Sequence, residues 1–122
     1  MKIRNTILTF ISLSCLAISV HAADKAHLLL PAEITSTFAT GVPFAATAPS
    51  GKMIMLTLKP DGTAQATPKG KKKGKRGKWR LSDDGYCTTW EKSSEHCYKI
   101  RQNGAGYDVL NISGIIVAHW AK

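Results

Sequence analysis

Eight basic side chains fall within twelve positions of this 122-residue chain: Lys69, Lys71, Lys72, Lys73, Lys75, Arg76, Lys78 and Arg80. Gly70, Gly74 and Gly77 interrupt them, and no apolar residue occurs between positions 69 and 78. Such a run has nothing to bury, so the composition predicts a flexible basic loop over 68–78. Its chemistry would be the capture of anions: nucleic acid, lipopolysaccharide, anionic lipid headgroups or sulfated glycans. The simpler alternative is a solvated hairpin tip that only aids solubility. No aromatic residue interleaves the run, which argues against reading nucleic-acid bases by stacking.

The second chemical feature is a pair of cysteines, Cys87 and Cys97. A third, Cys15, lies in an apolar run over 7–20 that follows Lys2 and Arg4 and precedes Val20-His21-Ala22. Charged start, apolar middle and small-residue end together read as a secretory signal peptide over 1–22. The run is shorter than the roughly 20 residues a helix needs to span a bilayer. Cleavage after Ala22 would leave residues 23–122, exported to the periplasm or secreted, with no membrane span. Cys87 and Cys97 would then be the only cysteines, an even count in an oxidising compartment, and a disulfide is expected. The formal net charge of +9 falls to +7 without Lys2 and Arg4. Outside 69–80 the remaining chain has seven basic and eight acidic residues. A near-neutral domain therefore carries one basic segment.

Other residue types that could do chemistry are weaker. Met53 and Met55 share a strand face, and thioethers with a histidine can hold copper(I). His27, His96 and His119 are far apart in sequence, however, and Met-x-Met on a strand reads as packing, so neither metal nor cofactor is expected. Adjacent Asp83 and Asp84 fall in a turn and point apart, unlike an acid–base pair. His96 beside Cys97 suggests an activated thiolate only if Cys97 is reduced. Asn111-Ile112-Ser113 matches the glycosylation acceptor pattern, which matters only in a eukaryotic secretory route. No catalytic residue is assigned, and the chain does not read as an enzyme.

The elements that must position these groups are mainly β. Pro31, Glu33 and Gly41 bracket a short helix over 32–38, with Ile34 and Phe38 on one face. Strands are expected at 42–48, 53–58, 63–67, 78–81, 86–90, 96–101, 107–111 and 115–120, separated by Gly-, Asp- and Asn-containing turns. About eight short strands form an antiparallel up-and-down meander, a curled sheet or a small barrel whose closure removes edges. Alternation puts Ile54, Leu56 and Leu58 on the core face, and Tyr86, Thr88 and Trp90 opposite Cys87. A direct Cys87–Cys97 pairing centres the hairpin on Lys92, in the polar tip over 91–94. Trp79 and Trp90 are expected in the core.

Phe38-x-x-Gly41, Pro60-Asp61-Gly62, Gly77-x-Trp79, Cys87-x-x-Trp90, Cys97 and terminal Trp120 together resemble small exported bacterial domains of unknown function. The resemblance implies a short helix before a lipocalin-like antiparallel sheet across most of residues 23–122. It implies no catalytic residues, and the lysine-rich insertion before Gly77 departs from it. Three roles in binding remain: docking on an anionic envelope component, inhibiting or assisting an envelope enzyme, or carrying a small molecule in the barrel mouth. Non-reducing intact-mass analysis of the exported protein should give residues 23–122 less the two hydrogens lost on oxidation. Two free thiols would remove the disulfide.

Overall fold

The computed structural model describes residues 27–122. The signal peptide over 1–22 and its Cys15 lie outside the described residues. Helix α1 (Pro31–Phe38) precedes eight strands: β1 (Phe44–Thr47), β2 (Met53–Leu58), β3 (Thr63–Pro68), β4 (Lys75–Leu81), β5 (Tyr86–Trp90), β6 (His96–Asn103), β7 (Gly106–Leu110) and β8 (Ile116–Ala121). Each strand pairs antiparallel with the next, and β8 pairs with β1, so the sheet closes into a barrel. The barrel resolves the alternative left open between a curled sheet and closure. Every strand finds two neighbours, and the exposed edges of an open meander disappear.

Residues directly opposite on paired strands share a face. Phe44 faces Leu56, Ala46 faces Ile54 and Trp120, Leu58 faces Ala64, and Ile100 faces Val109. These residues form the interior, with Ile54 half-buried and the others buried. The leucine face of β2 is therefore the core face, as its alternation indicates. Met53 and Met55 lie on the outer wall against Thr47 and Ala45.

Consecutive turns of an up-and-down barrel alternate between its two ends. One end gathers α1 and the turns over 59–62, 82–85 and 104–105. The other gathers the turns over 48–52, 69–74, 91–95 and 111–115. Helix α1 starts with Pro31 in its first turn, and the Leu30 N–H donates to the Glu33 carboxylate at 3.1 Å. Ile34 and Phe38, one turn apart, are both fully buried. Gly41, with φ of +78°, turns the chain out of the helix, and its N–H donates to the Leu58 carbonyl at 3.0 Å. Phe38 then stands inside the barrel end, with ring centroids 5.0 Å from Phe44, 4.9 Å from Tyr107 and 4.8 Å from Trp120. This end is plugged.

The seam between β5 and β6 is short, with Tyr86, Cys87 and Thr88 opposite Tyr98, Cys97 and His96. The disulfide joins its middle pair, with Cα atoms 4.0 Å apart. Lys92 at the hairpin tip has φ of +60°. Beyond this seam β6 takes a different neighbour. The segment before α1 pairs there instead: the Leu29 N–H donates to the Ile100 carbonyl and the Gln102 N–H to the His27 carbonyl. Leu29 is buried as a result.

The expected basic loop is shorter than its composition suggests. Pro68 closes β3 and Lys75 opens β4, so only 69–74 is turn. Lys75, Arg76 and Lys78 pair opposite Ala66, Gln65 and Thr63. A charged strand suffices here because its backbone is bonded on both sides and its outer face needs no burial. The two tryptophans also depart from full core positions, each being half-buried. Trp79 keeps its indole N–H on the Lys59 carbonyl at 2.7 Å. Phe38→Ala should lower unfolding free energy by about 3–5 kcal/mol, measured by equilibrium denaturation. Leu30→Ala, at a 65% exposed position, should change it by about 0.5 kcal/mol or less.

Candidate functional site

The end opposite α1 is open, and the inner residues of its strands explain why. On β4 the pairing alternates Lys75, Gly77 and Trp79 onto the inner face and Arg76, Lys78 and Arg80 onto the outer wall. Gly77 faces Ala64 on one side and Trp90 on the other. A Cβ at Gly77 would come within 2.6 Å of the Thr89 carbonyl oxygen and 2.8 Å of the Trp90 ring. Glycine thus lets the Trp90 indole lie across the β4 backbone, where it walls the mouth.

A cavity of about 530 Å3 occupies this mouth, lined by Ile54, Ala66, Pro68 and Trp90 and by Lys52, Lys71, Lys73, Lys75, Glu91 and Ser93. A deeper cavity of about 220 Å3 lies among Ala46, Ile54, Leu56, Tyr86, Thr88, Trp90, Tyr98, Val117, Ala118 and Trp120. Ile54 and Trp90 line both. Four lysines against one glutamate give the mouth a positive field, and low-dielectric walls concentrate it.

The eight basic residues singled out in the sequence separate into three groups. Lys71, Lys73 and Lys75 line the mouth, joined by Lys52 from the turn between β1 and β2. Lys69 and Lys72 are exposed in the turn over 69–74, while Arg76 and Lys78 are exposed on the outer wall of β4. Arg80 is engaged elsewhere. Its Nη2 and Nε donate to the two Glu95 carboxylate oxygens at 2.6 and 2.9 Å. That fork holds the Glu95 carboxyl below its ordinary range and raises the Arg80 guanidinium further above neutrality. The other seven make no salt bridge with a described residue.

A second polar cluster sits on the outer wall of β6, β7 and β8. Asp108 faces Arg101 on one side and His119 on the other. Its carboxylate, 1% exposed, accepts from Arg101 Nη2 at 3.0 Å and Asn103 Nδ2 at 3.2 Å, and meets His119 Nδ1 at 2.8 Å. Burial pushes the Asp108 pKa up, but the hydrogen bonds from Arg101, His119 and Asn103 outweigh it and hold the group below the usual carboxylate value. The cluster spans three strands and ties them together. No third His, Cys, Asp or Glu side chain is grouped with Asp108 and His119 among the described residues.

The one grouping of three such donors among the described residues is Cys87, Glu95 and Cys97, and its sulfurs are joined as the disulfide. Asp84 pairs with Lys99 at 3.1 Å. The Asn111 side chain accepts from the Ser113 and Ile115 amides and shapes the turn between β7 and β8. Sequence reasoning missed Lys52, the cavity beneath the lysines and the Asp108 cluster. Of these the cavity alone had a faint signal, in the small inward residues Ala46, Ala66 and Gly77.

Fold and site together define a small antiparallel eight-stranded barrel with one disulfide, plugged at one end and lysine-rimmed at the other. Comparison with protein-family models, curated proteins and solved structures finds no match to the chain.

Since the folded state holds Asp108 below its unfolded pKa, the resulting stability is complete above about pH 4 and is lost as pH falls through the folded value. Asp108→Asn should therefore lower the thermal midpoint at pH 7 and flatten its fall below about pH 4. The residual slope belongs to Asp61 and Glu95, whose carboxyls are also held low. Unchanged curves would mean that the cluster contributes nothing to stability.

Proposed function

We propose that this is an exported binding domain with a lipocalin-like barrel, held in the periplasm or secreted, that takes an anionic envelope component or polymer at its lysine-rimmed mouth. The carrying observation is the convergence of Lys52, Lys71, Lys73 and Lys75 on one open cavity, with Glu91 the sole acidic residue lining it. Like charges brought together repel, and a bound anion relieves that repulsion. Lys69, Lys72, Arg76 and Lys78 widen the positive field around the same end and strengthen the attraction at a distance. Arg80 is the least available of the eight because Glu95 already neutralises it.

The test compares the exported protein with a variant carrying Lys71, Lys72, Lys73, Lys75 and Arg76 as Gln. Binding to polyphosphate and to envelope extracts is measured across a salt series. The wild type should bind with log K falling linearly against log salt, and the variant should lose binding and most of that slope. For nucleic-acid phosphates each neutralised contact contributes about 0.7–0.9 to the slope, which sets the scale. Equal binding and equal slopes would sink the reading, and leave the lysines as a solvated rim.

A further inference from the structure

We infer that the anion carries a single unbranched apolar tail, and that this tail enters the barrel beneath the lysines while the charged head stays on the rim. The inference rests on the rim reading above and names the class of its ligand, a single-chain amphipathic anion such as an alkyl phosphate or carboxylate.

The argument starts from how the barrel is filled. An eight-stranded barrel is just wide enough inside for side chains to fill it. At the plugged end Phe38, Phe44, Tyr107 and Trp120 do so in mutual contact. Toward the mouth Ala46, Ala66, Gly77 and Ala118 stand among the inner positions beside Ile54, Thr88 and Trp90, and their short side chains leave part of the interior unfilled. Protein interiors are ordinarily packed without such gaps. A rim that met only polymer charge would need no cavity behind it. Here the cavity adjoins the rim, since Ile54 and Trp90 line both parts.

The lining then selects the tail. Ile54, Leu56 and Val117 offer apolar surface, and the polar groups in the lining are the Thr88 side chain, the Tyr86 and Tyr98 phenols and the indole N–H groups of Trp90 and Trp120. Mostly apolar walls with a few polar groups are the usual make-up of a small-molecule pocket. The deep cavity of about 220 Å3 holds roughly seven methylenes, if each takes about the 30 Å3 of a liquid water. Closure by eight strands leaves room for one chain. The larger mouth, about 530 Å3, accommodates the head beside Lys71, Lys73 and Lys75.

A monomeric amphiphile and a lipid lifted from a bilayer present the same chemistry. The test therefore titrates the wild type with alkyl phosphates of about two to twelve carbons, kept below micelle-forming concentration, by calorimetry and tryptophan emission. A second arm presents the tightest binder within phosphatidylcholine vesicles. Affinity should rise roughly fourfold per methylene up to about eight carbons and then level. Octyl glucoside, with the same tail and no charge, should bind at least tenfold more weakly. Ala118→Phe, checked for an unchanged thermal midpoint, should bring the plateau to a shorter chain. Binding from vesicles would assign the bilayer as source, and binding of monomers alone would assign solution; both keep the inference.

Affinity independent of chain length, with salt-sensitive polyphosphate binding retained, would overturn the tail and leave the rim reading standing. Chain-length dependence undiminished by the lysine-to-glutamine substitutions, with octyl glucoside binding equally well, would overturn the rim and with it the anionic class. The wild-type series decides the tail even if Ala118→Phe fails to fold.

Discussion

Phe38 is the residue on which the arrangement depends, because it decides which end of the barrel is full. A closed sheet has a fixed interior, and a helix of eight residues can place one large side chain into its end. Phe38 does this from the last turn of α1, against Phe44, Tyr107 and Trp120. Those rings come from β1, β7 and β8, the strands that close the barrel. The plug and the closure thus support one another. Lys122 adds a tie from the C-terminus, its Nζ donating to the Thr37 carbonyl.

With one end filled, the other can stay open without loss of the fold. Its interior residues are small, and the chain that crosses it, 69–74, has no side chain to bury. The positive charge follows from that geometry. Lysines on a polar turn and on the first residue of β4 face a cavity because β4 begins with its odd-numbered positions inward. One residue of register shift would turn Lys75, Gly77 and Trp79 outward and close the mouth with Arg76 and Lys78. Ladder pairing of β4 with both β3 and β5 prevents that shift.

The remaining weak place is the short β5–β6 seam. The disulfide holds its middle pair, and the backbone of 27–29 covers the part of β6 beyond the seam. On the next seams Asp108 links Arg101 and His119 across β6, β7 and β8. Covalent, backbone and charged ties therefore follow one another around the wall. Each acts on neighbouring strands, where the barrel has no separate layer to pack against.

Much of the fold was legible in the residues. Periods of two, punctuated by Pro49-Ser50-Gly51, Pro60-Asp61-Gly62 and Ser113-Gly114, marked eight strands, and Ile34 with Phe38 marked the helix. A direct Cys87–Cys97 pairing centred the hairpin on Lys92, in agreement with the polar tip there. These are local properties, set by side-chain alternation and turn chemistry within a few residues. Closure of β8 on β1, the plug, the buried Leu29 and the cavity were not legible, because each depends on residues distant in sequence meeting in space. The lysine run illustrates the division. Composition alone determined that it is charged and lacks a core of its own. Tertiary pairing decided that Lys75 begins a strand, that Arg80 is neutralised by Glu95, and that Lys52 joins the rim from another turn, since burial and pairing partners exist only once the barrel has closed.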